Sequence, residues 1–150
     1  MSTARPDPLA APLGEVLDFL GMLWAVEHSL NRLSKRLHAT LDVTGPQRLV
    51  LRVVGRFPGI PSGEVASILR LDPSTMSGIL VRLERRGLIQ RRPDPRDRRR
   101  ILLALTVQGR ELDVDETSAI DTVAGEILAG LSATDVAASR RVLERLATEL

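Results

Sequence analysis

The stretch LRLDPSTMSGILVRLERRGLIQRRPDPRDRRRILLAL, residues 69–105, decides how the rest of this 150-residue chain is read. Asp72 can accept hydrogen bonds from the free N–H groups of a first helical turn, and Pro73 stands where a missing N–H costs nothing. A helix is predicted to begin there. Apolar Met76, Ile79, Leu80 and Leu83 recur at helical spacing on one side, leaving Ser74, Thr75, Ser77, Gly78 and Arg82 largely on the other. Arg85 and Arg86 suit the negative end of the helix dipole, and Gly87 follows as a left-handed C-cap. Leu88 to Arg92 then reads as a short strand, Pro93-Asp94-Pro95 breaks it, and Ile101 to Leu105 returns as a second strand.

The outer face of this helix is small near its start and basic further along. A helix that enters the major groove presents its N-terminal residues to base edges, where short hydroxyl side chains allow close approach. Free N–H groups at the tip would hold a phosphate. Arg82, two turns in, can reach guanine or a phosphate. An ordinary amphipathic helix with solvated hydroxyls fits the same residues, so the helix alone leaves both readings open. The hairpin shifts the balance. From Arg82 to Arg100 there are nine arginines against Glu84, Asp94 and Asp97, a local +6, which leaves −4 for the remainder of a chain whose net charge is +2. Positive charge gathered beside a reading helix releases counterions at each phosphate contact. The candidate DNA-binding residues are therefore Ser74, Thr75, Ser77, Gly78 and Arg82 on the helix, with Asp97, Arg98, Arg99 and Arg100 in the loop between the strands.

The order of these pieces resembles the MarR (multiple antibiotic resistance regulator) family of winged-helix repressors. The resemblance rests on Arg85-Arg86-Gly87-Leu88-Ile89, on Arg91 to Arg100 with Asp97-Arg98-Arg99 at its centre, on Leu105-Thr106-Val107-Gln108-Gly109, and on Thr44-Gly45-Pro46-Gln47. It implies that Arg99 enters the minor groove and that Asp97 steadies it. A narrow A/T-rich minor groove has an enhanced negative potential, which gives an arginine a physical reason to be there. The resemblance also implies an intertwined homodimer and makes a phenolic or lipophilic effector an expectation. Composition departs at that point, because no Tyr, one Trp and two Phe leave few aromatic groups to line a pocket.

Outward from the reading head, MSTARPDPLAAP is proline-rich and lacks the apolar run of a secretory signal, so a frayed arm on a cytoplasmic protein is expected. Leu13, Val16, Leu17, Leu20, Leu23, Trp24, Leu30, Leu33, Leu37 and Leu41 mark one long helix whose apolar stripe needs cover, part of it from a second subunit. His28 and His38 lie ten residues apart, off the spacing by which two helical residues share a ligand face. A structural or solvated role is favoured for both, with pH sensing or effector contact at His28 as the alternative. Thr44-Gly45-Pro46-Gln47 is a capping box opening a helix through Phe57, Ile60 is an edge-strand candidate, and Ser62 is expected to cap a helix over 63–69, with contact to a DNA phosphate as the less favoured alternative. After the wing, Thr106 should cap one long helix carrying Leu112, Ile120, Val123, Ile127 and Leu128. Its acidic first half, Glu111, Asp113, Asp115, Glu116 and Asp121, is either exposed or paired with the partner's arginines. Ser132 to Asp135 opens the last helix.

The expected architecture is mainly α with a small β-hairpin. An N-terminal arm and dimerisation helix (1–42) and C-terminal dimerisation helices (106–150) flank a winged helix-turn-helix lobe (43–105). Absence of cysteine excludes structural disulfides and thiol-based sensing. No run approaches the 18 or so apolar residues of a membrane span. Ligand sets for a metal, a nucleophile with its base, and a glycine-rich phosphate loop are not found, so neither an enzyme nor a cofactor is expected. The function expected is a sequence-specific transcriptional regulator, a repressor rather than an activator. It would bind a pseudo-palindromic duplex as a homodimer and answer to a small-molecule effector if one exists. The alternative is a winged-helix module for protein interaction or for non-specific architectural DNA binding.

Overall fold

The computed structural model describes residues 14–114 and 119–149. Helix α1 (Glu15–Leu41) ends where Asp42 turns left-handed at φ 54° and its N–H reaches the His38 carbonyl at 3.0 Å. Helix α2 (Gly45–Arg56) opens on the expected reciprocal cap. Gln47 N–H donates to Thr44 Oγ1 at 3.4 Å, and Thr44 N–H donates to Gln47 Oε1 at 3.0 Å. A two-residue strand, β1 (Ile60–Pro61), leads into α3 (Ser62–Leu69), then Arg70 turns left-handed into α4 (Pro73–Arg85). Strands β2 (Ile89–Pro93) and β3 (Ile101–Leu105) follow, then α5 (Val107–Val114), α6 (Ala119–Ala129) and α7 (Ala133–Glu149).

Helix α4 stops by the mechanism its sequence announces. Gly87 adopts φ +67°, which a side chain rarely tolerates, while Gly87 N–H bonds Glu84 O at 2.9 Å and Leu88 N–H bonds Leu83 O at 2.9 Å. These two bonds satisfy carbonyls that the helix end would otherwise orphan, and Leu88 is thereby delivered fully buried to the start of the wing. The wing is a three-stranded antiparallel sheet in the order β1-β3-β2. Ile60 pairs with Leu103 on one side of β3 while Arg91 pairs with Leu103 on the other. Pro93 lies inside β2 rather than breaking it. It can, because β2 is an edge strand and Pro93 is its last residue, where a missing donor interrupts no ladder.

Nearly all of the core belongs to the central lobe. Val43, Val50, Leu51, Val54, Ile60, Val65, Met76, Ile79, Leu80, Leu83, Leu88, Ile89, Leu103 and Leu105 form one buried cluster. Burying each such side chain contributes on the order of 1.5–3 kcal/mol, so this cluster is what the lobe can use against chain entropy. The arms differ. Only Leu37 is buried in α1, and α7 buries nothing among the described residues. Val16, Leu17, Trp24 and Leu30 of the apolar stripe are exposed, Trp24 by 65%. Leu20, Leu23, Leu33 and Leu41 are half-buried, and Leu13 lies outside the described residues.

Of the helix expected after Thr106, the described residues give α5 and α6, and 115–118 lie outside them. Two expectations need correction. Ser62 is not a cap. It is the first residue of α3, the N-cap position is Pro61, and no side chain bonds the first turn there. The geometric cause is that β1 runs straight into α3, so the chain leaves the sheet one residue earlier than a serine cap would require. Asp113, expected on an open face or against a partner, instead pairs with Arg52 of α2 at 3.3 Å. Ser132 does open α7, its Oγ accepting from Asp135 N–H at 3.1 Å.

Candidate nucleic-acid interface

The two sides of α4 separate as the periodicity predicts. Met76, Ile79, Leu80 and Leu83 are buried in the lobe, while Ser74, Thr75, Ser77, Gly78 and Arg82 are exposed. A Cβ added at Gly78 would meet nothing within 4 Å, so this surface is open as well as small. At the tip, Asp72 Oδ1 accepts from Ser74 N–H at 3.0 Å and from Thr75 N–H at 2.9 Å. The hydroxyls donate to the same carboxylate, Ser74 Oγ at 2.6 Å and Thr75 Oγ1 at 2.5 Å. These hydroxyl bonds, with help from the Thr75 amide, hold the Asp72 carboxyl far below the usual carboxylate range. The expectation that free amides at this tip hold a phosphate is therefore not met at Ser74 and Thr75, because Asp72 has used both.

The arginine run sorts into two groups that the sequence does not distinguish. Arg86 turns back to the end of α1, donating to Leu41 O at 3.3 Å and to Asp42 O, and pairs with Asp42 Oδ2 at 3.4 Å. Arg91 Nε donates to Glu84 Oε2 at 2.7 Å and ties β2 to α4. Arg92 donates to Gln90 Oε1 at 2.9 Å along its own strand. Arg100 pairs with Glu64 of α3 at 2.7 Å, which braces the wing against the helix-turn-helix. By contrast Arg82, Arg85, Arg96, Arg98 and Arg99 are exposed, and among the described residues their guanidinium groups make no hydrogen bond or ion pair. The turn carrying three of them is shaped by aspartates. Asp94 Oδ1 accepts from Arg96 N–H at 2.8 Å, Asp97 Oδ1 from Arg99 N–H at 3.0 Å, and Arg100 N–H bonds Asp97 O at 2.9 Å. Asp97 thus holds the backbone of Arg99 and leaves its guanidinium unengaged.

Two clefts show how these groups lie. One is lined by Ser62, Gly63, Ser67, Met76, Ser77 and Arg91, the other by Ser62, Gly63, Glu64, Ser67, Arg99 and Arg100. Ser62, Gly63 and Ser67 are common to both. The exposed edge of α3 therefore runs between Ser77 of α4 and Arg99 of the wing. Sequence reasoning placed Ser62 near DNA only as an alternative to capping, and missed Ser67. The signal for Ser67 was there, since it lies on the face of α3 opposite buried Val65.

Away from this surface, a cavity of about 220 Å³ lies between α1 and α2, lined by Leu30, Leu33, Ser34, Leu37, Pro46 and Leu49 among others. A more open one of about 520 Å³ lies between α1 and α6, walled mainly by Val26, Leu30, Leu33, Val123 and Ile127. Neither lining contains an aromatic side chain. His28 is exposed, and His38 faces Asp42 with 3.5 Å between Nδ1 and Oδ1. No helix among the described residues is long and apolar enough to cross a membrane.

A helix-turn-helix of α3 and α4 with a cationic β-wing, carried between helical arms, defines a winged-helix regulator. Known proteins agree. The MarR family profile matches residues 41–100. The transcriptional regulator HosA of Escherichia coli O111:H- is 34% identical over 95 residues, covering 63% of this chain and 70% of HosA. The HTH-type transcriptional regulator TtmR of Methylorubrum extorquens is 36% identical over 110 residues, 73% of this chain and 54% of TtmR, so the match spans about half of that relative. Among solved structures, the regulator PcaV of Streptomyces coelicolor with its natural ligand superposes with TM-score 0.70 at 27% identity, over 92% of this chain and 98% of PcaV. A mutant of E. coli MarR with operator DNA superposes with TM-score 0.68 at 25% identity, over 91% of this chain and 99% of that one. The chain belongs to the MarR family of transcriptional regulators.

Proposed function

We propose that this chain represses transcription as a homodimer, each subunit laying α4 in a major groove and its wing in the adjacent minor groove of a pseudo-palindromic operator. One observation carries the reading. The edge of α3 at Ser62 and Ser67 is shared by the clefts that reach Ser77 and Arg99, so the hydroxyl-rich helix and the unpaired arginines flank one face. Ser74, Thr75, Ser77, Gly78 and Arg82 read bases, Arg98 and Arg99 serve the minor groove and backbone, and Asp97 and Arg100 position the wing. Helices α1, α6 and α7 supply the dimer interface, with 43–105 as the DNA-binding lobe. Exposed Val16, Leu17, Trp24, Val26, Ile127, Leu128 and Leu143 support that division, because apolar surface of this extent is what a second subunit covers. Two lobes so joined meet half-sites one helical turn apart, roughly 34 to 36 Å. A protein working on the chromosome in this way acts in the cytoplasm.

The aliphatic cavities beside α1 are the proposed effector sites. An occupant there would change operator affinity only by its differential affinity for DNA-competent and incompetent dimers. The test is selection of bound duplexes from a random pool, with sedimentation of the free protein at micromolar concentration. A palindromic consensus and about twice the 16.4 kDa chain mass are expected. Recovery of no consensus despite DNA binding would favour the architectural alternative, no DNA binding would favour a protein partner, and a persistent monomer would overturn the spacing mechanism.

A further inference from the structure

We infer that Asp72, beyond capping α4, is a specificity-determining residue: it makes the tip of the reading helix accept hydrogen bonds and not donate them, so each half-site is read there through a base amino group, that of cytosine or adenine. The inference rests on the proposed DNA-reading role of α4. It follows from an inventory of donors. Pro73 has no N–H. The N–H groups of Ser74 and Thr75 are spent on Asp72 Oδ1 at 3.0 and 2.9 Å, and Met76 N–H is spent on the Asp72 carbonyl at 3.0 Å. Each hydroxyl owns one hydrogen, and both are directed at the same carboxylate, from Ser74 at 2.6 Å and from Thr75 at 2.5 Å. What remains facing outward is oxygen lone pairs. The carboxylate cannot supply a proton, because those same bonds keep it ionised throughout any pH at which the protein works.

Two consequences distinguish this tip from an ordinary helix N-terminus. A phosphate finds no donor and meets a full negative charge, so the anion-attracting end of the helix is closed. In the major groove, cytosine N4 and adenine N6 are donors, whereas guanine O6 and N7 and thymine O4 are acceptors. Lone pairs at Asp72, Ser74 and Thr75 match the first pair of bases and oppose the second. Further along the same exposed face stand Ser77, whose hydroxyl has no partner among the described residues, and Arg82, a pure donor. The helix therefore carries a polarity from acceptor to donor, and the half-site should carry the complement: an amino-bearing base under the tip and an acceptor-rich base, guanine above all, two turns away.

The decisive variant is Asp72→Asn. Asparagine caps helices about as well as aspartate, so a merely structural role would leave the selected sites unchanged. Its amide, however, adds two donors and removes the charge. Duplexes are selected from a randomised pool with the wild-type chain, with Asp72→Asn, and with Asp72→Ser as a second cap-preserving change should the first not fold; thermal melts confirm the fold of each. For the wild type we expect A or C over G or T at the tip position by about tenfold, the scale of one well-placed base contact. In the variants that preference should fall below about threefold or reverse toward G or T, with the remaining positions retained. Identical sites for all proteins would overturn the role of Asp72 while leaving a sequence-specific regulator. No consensus from the wild type would overturn the proposed function and this inference together.

Discussion

Gly109→Ala should destabilise the protein out of proportion to the single methyl it adds. Gly109 is the third residue of α5, and it is buried against the root of the wing. A Cβ there would stand 2.0 Å from Leu88 O and 3.0 Å from Leu88 C, with Leu105 Cβ at 3.4 Å. Contacts under 3.0 Å essentially do not occur, so α5 and the strand root must separate by about 1 Å. No flexible side chain can yield instead, because the obstacle is backbone. The Leu88 carbonyl also receives Thr106 N–H at 3.1 Å, and Thr106 Oγ1 joins Gly87 O to Gly109 N–H, the latter at 3.0 Å. Separation strains all three bonds together. Overpacking alone costs about 1–3 kcal/mol, and a weakened buried hydrogen bond about 1 more, so we expect about 3 kcal/mol in total. For a chain of this size that corresponds to a fall in Tm of about 6–12 °C. Urea and thermal unfolding followed by circular dichroism would measure it. A Tm within 2 °C of wild type would show that α5 is not seated on Leu88 as described.

The same change at Gly78 should act in the opposite direction on stability. Nothing opposes a Cβ there, so Gly78→Ala in mid-helix should stabilise by about 0.5–1 kcal/mol, yet weaken operator binding by intruding on the reading face; equal binding would exclude Gly78 from the interface. Arg99→Ala should cost about 1–3 kcal/mol of operator affinity with fold and dimer intact, and Asp97→Ala should weaken binding through the lost Arg99 N–H bond, both read by titration of labelled duplex at fixed salt. Unaltered affinity in both would remove the wing from recognition. The acid limb of stability should reflect Asp72, and also Glu144, whose carboxyl is lowered by hydrogen bonds from Arg140 and Arg70. Both groups bind protons less readily in the folded state than in the unfolded chain, so their contribution is complete above the ordinary carboxylate range near pH 4 and is lost as the pH falls below it. Asp72→Asn with Glu144→Gln should flatten the loss of Tm between pH 4 and about pH 2; an unchanged slope would refute the assignment.

Much of this molecule is written in short-range chemistry. Thr44 with Gln47, Asp72 with Pro73, and Gly87 each satisfy or terminate backbone within four residues, so the start of α2 and both ends of α4 follow from local sequence alone. The division of α4 into a buried apolar side and an exposed hydroxyl side follows from its 3.6-residue period in the same way. What local sequence could not decide is which charges are already spoken for. Nine arginines in a run look alike, yet Arg86, Arg91 and Arg100 are engaged by the end of α1, by Glu84 and by Glu64, partners up to 45 residues away. Only the packing of the lobe brings those groups together and so leaves the guanidinium groups of Arg82, Arg85, Arg96, Arg98 and Arg99 exposed and without a partner among the described residues. The pairing of β1 with β3, the loss of Ser62 as a cap and the tight seat of Gly109 have the same origin: each depends on where a distant backbone lies, and distance along a chain carries no information about distance in space until the core has formed.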